Sequence, residues 1–201
     1  ADFSRAFATL GQTPEVSPFQ GIRIQSATFD PTEFFTSRRC QTLNKFEFDH
    51  CVFPDSAIIA LAESAKETLK SIGFFGEHPR LASLVLSRCH NVEELHWDSD
   101  EEGEEGIEEA FREIGEQCKS ALSVVDIDST TRVTDSAIRA IAPALKAVRE
   151  IILNCSEEAL LELISICPSI KFVRLQSHMI VGAGEQREAF IRRLPHGIWL
   201  R

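Results

Sequence analysis

Residues 167–175, CPSIKFVRL, decide the fold of this chain, because their pattern keeps returning. Residues 40–48 read CQTLNKFEF, residues 89–97 CHNVEELHW and residues 118–127 CKSALSVVDI. In each, a cysteine stands three or four positions ahead of an aliphatic residue, and two more apolar residues follow at spacings of three and two. An apolar pair separated by one residue is the period of a strand with one buried face. Residues 69–74, LKSIGF, and 148–153, VREIIL, keep the strand without the cysteine, and 19–24, FQGIRI, is a looser copy. The first apolar positions, 19, 43, 69, 92, 122, 148 and 170, lie 22 to 30 residues apart, the length of one supersecondary unit. Residues 81–89, LASLVLSRC, fit the same pattern in another register, but that register would place Cys89 after a strand. They are read instead as a helix over Pro79–Cys89 with Leu81, Leu84 and Val85 on one buried face.

Helix signals fall between the strands. Asp30-Pro31-Thr32-Glu33 reads as a capping box opening the Phe34–Arg39 segment. Asp55 is expected to cap 56–68, Asp135 to cap 136–146, and Ser156 to cap 157–167. Pro143 should end or kink its helix. Strand and helix therefore alternate from about residue 19 onward.

These units resemble leucine-rich repeats of the cysteine-containing type, as in F-box/leucine-rich-repeat proteins and the ribonuclease-inhibitor-like superfamily. Residues 125–138, VDIDSTTRVTDSAI, are similar to that family's L-x-L-x-x-C-x-x-(I/V)-T-D-x-x-(I/L) core, with Thr130 where the family has cysteine. Cys51 and Cys155 fill comparable positions after other strands. The resemblance covers about 180 residues and implies an α/β solenoid of about six repeats. A curved parallel sheet would line its concave side and helices its convex side. It also implies protein recognition, including substrate selection for a ubiquitin ligase, whose components would bind through sequence other than this. No segment of F-box type, opening on a Leu-Pro pair, is read in residues 1–20.

Within the array, residues 1–18 read as an N-terminal arm and 19–201 as the repeat domain. An acidic insertion at about 98–109 explains the longest repeat. A cap at about 187–201 combines a basic amphipathic helix over Arg187–Leu194 with a short strand, Ile198-Trp199-Leu200, that covers the last edge.

Lys and Arg number 21 against 31 Asp and Glu, a formal net charge of −10. Such a chain repels phosphate, so neither nucleic acid nor an anionic membrane is an expected partner, and a basic protein is. Nothing reads as a membrane span or a leader peptide. Six cysteines without a CxxC pair argue for buried packing groups in a reducing compartment, the cytoplasm or nucleus, and against a zinc ribbon.

Alternation along each strand places one set of side chains on the face away from the helices. That set includes Lys45, Glu47, Asp49, Phe75, Glu94, His96, Asp98, Val124, Asp126, Asp128, Glu150, Ile152, Phe172 and Arg174. Acids ringing exposed Phe75, Val124, Ile152 and Phe172 form the candidate site for a basic segment of a partner protein. An acidic repeat protein receiving histones or other basic proteins is the alternative use of the same face.

Residues 98–109, DSDEEGEEGIEE, hold eight acids. Asp98, Asp100, Glu102 and Glu109 match positions 1, 3, 5 and 12 of a calcium loop, but Glu105 stands where an aliphatic residue belongs, and a strand precedes it. The segment is therefore read as a flexible acidic loop, with no metal and no cofactor expected. The enzyme-class alternative, a metal-assisted hydrolase on His96 and the insert, lacks any HExxH or GxSxG motif, and no enzymatic activity is expected.

Overall fold

The period-2 segments become strands because each can bury one edge of its side chains and leave the other for the open face. The computed structural model describes residues 20–28, 30–38, 40–76, 79–99, 104–129, 133–175 and 185–200. In chain order the elements are β1 (Gly21–Gln25), α1 (Thr32–Phe35), β2 (Lys45–Asp49), α2 (Asp55–Ala65), β3 (Ser71–Phe75), α3 (Pro79–Leu86) and β4 (Glu94–Ser99). They continue with α4 (Glu104–Gln117), β5 (Val124–Ser129), α5 (Asp135–Ile141), β6 (Glu150–Leu153), α6 (Glu157–Ile166), β7 (Phe172–Leu175), α7 (Glu185–Arg193) and β8 (Trp199–Leu200). The fold is α/β: one parallel sheet takes the strands side by side in sequence order, β1 to β8, with helices alternating between them. The looser copy at 19–24 supplies β1 in the same register as the rest.

Two backbone devices repeat from strand to strand. The carbonyl of the residue just before a strand accepts two N–H groups from the next repeat. Gln20 O takes Asn44 and Lys45, Asn44 O takes Lys70 and Ser71, and Lys70 O takes Glu93 and Glu94. Glu93, Ser123 and Arg149 carbonyls continue the series, all at 2.7–3.1 Å. At the other end of the first three strands the chain turns through a left-handed residue, Ser26, His50 or Gly76, whose N–H donates to the last carbonyl region of the neighbouring strand. Ser26 and His50 adopt this conformation with side chains, but at Gly76 a Cβ would stand 2.7 Å from the His50 ring, so glycine fits there for close approach as well as for φ.

The helix-side core is one continuous cluster built from Phe46 and Phe48, Ile72 and Phe74, Leu95 and Trp97, Val125 and Ile127, Ile151 and Leu153, with the apolar faces of the helices. Its first half is phenylalanine-rich. Phe48 and Phe74 stack with centroids 5.5 Å apart, and Trp97 meets Phe111 edge-on at 5.4 Å. The chain has 14 Phe and no Tyr, which fills this volume without adding phenolic hydroxyls in need of partners.

The cysteines sit at the junctions. Cys40 Sγ donates to Phe34 O at 3.2 Å, Cys89 to Ala62 O at 3.6 Å and Cys167 to Ala142 O at 3.7 Å. Each thiol thus adds a donor to a carbonyl near the end of a helix, where the regular i to i+4 pattern runs out; Phe34 O also accepts Ser37 N at 3.0 Å. Burial pushes the Cys40 thiol up to about 11 and the Cys89 thiol up to about 12, so both keep the proton they donate. Cys118 departs from the pattern. Its spacer is one residue longer, the thiol is only half-buried, and Ser120 fills the junction, donating to Cys89 O at 2.6 Å.

Several local expectations are corrected. Thr134, not Asp135, caps α5, its hydroxyl accepting from Ala137 N, while Asp135 accepts from Ser156. Pro54, not Asp55, occupies the cap position of α2. The Asp30 carboxylate does accept Thr32 N at 2.9 Å, but Pro31 holds the cap position and α1 is a single turn. Ser156 caps α6 as expected. The helix around Pro143 gives way to a 3-10 turn over Ala142–Leu145, as the missing N–H requires. The acidic insertion is not wholly loop, since Glu104–Glu109 already belong to α4. The arm expected over residues 1–18 lies outside the described residues. No helix among the described residues is long and apolar enough to cross a membrane.

α4 and α5 pack so closely that a Cβ built on Gly115 would sit 1.9 Å from the Ala140 carbonyl oxygen. Gly115→Ala gains helix propensity, about 1 kcal/mol, but must push two helices apart. A net loss of about 1–3 kcal/mol in chemical denaturation is expected. Thiol reactivity gives a second check: burial raises all three thiols, but Cys118 is partly exposed and should alkylate before the fully buried Cys40 and Cys89 in the folded chain.

Candidate functional site: the open face of the sheet

Parallel register sorts the open-face residues into three rows crossing the strands. The first runs Lys45, Ser71, Glu94, Val124, Glu150, Phe172, Trp199, and the second Arg23, Glu47, Gly73, His96, Asp126, Ile152, Arg174. The third runs Gln25, Asp49, Phe75, Asp98, Asp128. Charge and polarity divide this grid into zones along the strand order.

The zone over β1–β3 meets its own charges. Arg23 pairs with Asp49 at 2.5 Å and approaches Glu47 at 3.8 Å, and Lys45 pairs with Glu47 at 2.9 Å. His50 Nδ1 lies 2.9 Å from Asp49 Oδ1. Hydrogen bonds from His50 and Arg23 hold the Asp49 carboxyl below the usual carboxylate range. The Phe75 ring folds back over Gly73, where a Cβ would come within 2.8 Å of it, and the Arg23 guanidinium lies 5.3 Å from the ring centroid. Asp49 is 6% exposed. Glu47 and Asp49, expected to meet a partner, thus have cations of their own chain against them.

The zone over β4–β6 is acidic. Glu94, Asp98, Asp126, Asp128 and Glu150 occupy neighbouring register positions, with His96 the one basic type among them. His96 lies between two carboxylates, 3.7 Å from Glu94 and 3.6 Å from Asp126. The hydrogen bond with Asp126 raises the His96 pKa above its ordinary 6.5, against the opposing effects of burial and Lys45.

The zone over β7–β8 is apolar apart from the exposed Arg174. Phe172 is half-buried on the face, as is Val124 on β5. Ile152 corrects its expectation: at 6% exposure it is buried, offering little surface of its own, although it stands outside the helix-side core. Trp199, 67% exposed, extends this zone by pairing with Phe172 in register. Trp199 reads from sequence only as part of a capping strand, and Arg23 was hidden in the loosest repeat copy. Its alternation in FQGIRI is the signal that places it on this face.

Of the calcium-loop residues, Asp98 lies in β4 and Glu109 in α4, while Asp100 and Glu102 fall outside the described residues. Glu109 accepts from Arg112 at 3.5 Å. Among the described residues no group of three or more His, Cys, Asp or Glu is arranged to hold a metal ion.

Because folding raises the His96 pKa, the stability that its proton contributes is complete below about pH 6.5 and is lost as pH rises through the raised value. An NMR titration is expected to place the His96 ring above 6.5 in this chain and to bring it down in Asp126→Asn. An unmoved midpoint in the variant would show that another group holds the proton.

Comparison with protein-family models and with curated proteins finds no match for this chain, so the face has to be read on its own chemistry.

Proposed function

We propose that this chain is a leucine-rich-repeat recognition module that takes a basic segment of a partner protein on the open face of its sheet. The observation that carries the reading is the convergence of five acidic residues, Glu94, Asp98, Asp126, Asp128 and Glu150, on three adjacent strands. The β4–β6 zone concentrates negative charge beside exposed apolar surface, a combination suited to a cation-rich peptide.

The repeat-type assignment is supported by strands recurring every 22–30 residues, by their sequential parallel order and by thiols at the junctions. A ligase receptor would use such a face to choose substrates, and an acidic repeat protein would use it to receive histones. The ligand chemistry is the same in both.

Calorimetric titration with a Lys/Arg-rich peptide tests the reading. Binding should weaken as salt rises and should fall by about tenfold or more in the Asp126→Lys/Glu150→Lys double variant. Glu109→Lys, on the helical side, should leave it unchanged. Equal affinity in the chain and the double variant would rule out the open face as the site.

A further inference from the structure

Resting on that reading, we infer that the partner segment is extended, crosses the strands along the first row of the face, and carries an apolar anchor at one end followed by two spaced cations. The row supplies the order. Trp199 and Phe172 on β8 and β7 form its apolar end, Glu150 and Glu94 on β6 and β4 are its acids, and Val124 on β5 separates them. Asp126 lies in the adjoining row beside both acids.

The two ends of the row set its limits. Trp199 is the most exposed aromatic residue of the face, and an exposed indole next to a second aromatic ring is a costly surface to leave in water. Arg174, exposed beside Phe172, repels a cation placed there and so assigns that end to an apolar group. At the opposite end Ser71 and then Lys45, itself paired with Glu47, follow Glu94 in the row, so a cation that slides past Glu94 meets no further acid there. Next to Glu94 the Ser71 hydroxyl is buried at 5% exposure with no partner among the described residues, a polar atom in the same row.

Strand spacing turns the order into a register. Adjacent strands lie about 4.8 Å apart, so Glu150 and Glu94, two strands apart, are separated by about 10 Å. A segment in the extended polyproline-II conformation rises about 3.1 Å per residue with three residues per turn, so it covers that span in about three residues and returns the third side chain to the same face. The apolar end lies one to two strands beyond Glu150, which adds about two or three residues more. The segment therefore reads as an apolar residue and two cations, each about three residues from the next.

The test uses two fluorescein-labelled Gly/Ser peptides of identical composition, one with Phe, Lys and Lys in that spaced order and one with Phe placed between the two lysines. Each is titrated by fluorescence polarisation. Trp97 is buried and Trp199 exposed, so acrylamide quenching of the protein reports Trp199. The ordered peptide should bind about tenfold tighter than the rearranged one, should shield Trp199 from acrylamide, and should lose about tenfold in Trp199→Ala. Equal affinity for the two orders, or an unchanged affinity in Trp199→Ala, overturns the register. If both peptides bind equally and both weaken in Glu150→Lys, the acidic recognition stands and only the register falls. If neither binds in a salt-sensitive way, both fall together.

Discussion

The structure depends on one repeated contact, the carbonyl before each strand that accepts two N–H groups from the next repeat. Gln20, Asn44, Lys70, Glu93, Ser123 and Arg149 form this series. A parallel sheet needs a long crossover before each new strand, and nothing in the strand itself says where that strand should begin. The doubled hydrogen bond sets that point, so the first residues of β2 to β7 come into line. Row order on the open face follows directly. Were one junction to slip by a single residue, the apolar set of that strand would turn outward and every row would break.

The thiols work on the same junctions from the helix side. A helix end buried against the next repeat leaves carbonyls that water cannot reach, and the buried thiol of Cys89 or Cys167 is small enough to fit and still donate. Cys118 shows the limit of the device. One additional spacer residue moves its thiol outward, and Ser120 bridges Cys89 O and Val92 N instead. A hydroxyl can do what the thiol does, provided that both its partners are present.

Charge on the open face is arranged by neighbours far apart in sequence. Arg23 on β1 pairs with Asp49 on β2 and lies over Phe75 on β3, a ring position that leaves no room for a Cβ at Gly73. That end of the sheet spends its acids on itself. At β4–β6 the same alternation sets carboxylates around a single imidazole, which raises the proton affinity of His96 and leaves the zone negative. The apolar zone at β7–β8 then adjoins the acidic one, and the proposed recognition follows from that adjacency.

Periodicity alone determined the α/β repeat, the strand positions and the inward set of residues, because burial on one face imposes a spacing of two that survives in a single sequence. It also placed the acids of β4–β6 on the opposite face, since alternation is a local property. Helix caps were less legible: at Thr134 and Pro54 the cap falls one residue before the acid that resembles one, and only backbone geometry tells them apart. Which acids are already paired, the burial of Ile152, the close approach at Gly115 and the adjacency of Trp199 to Phe172 were decided by tertiary structure alone. Each depends on register between strands or helices of different repeats, and register is fixed by hydrogen bonds and contacts that no single repeat contains.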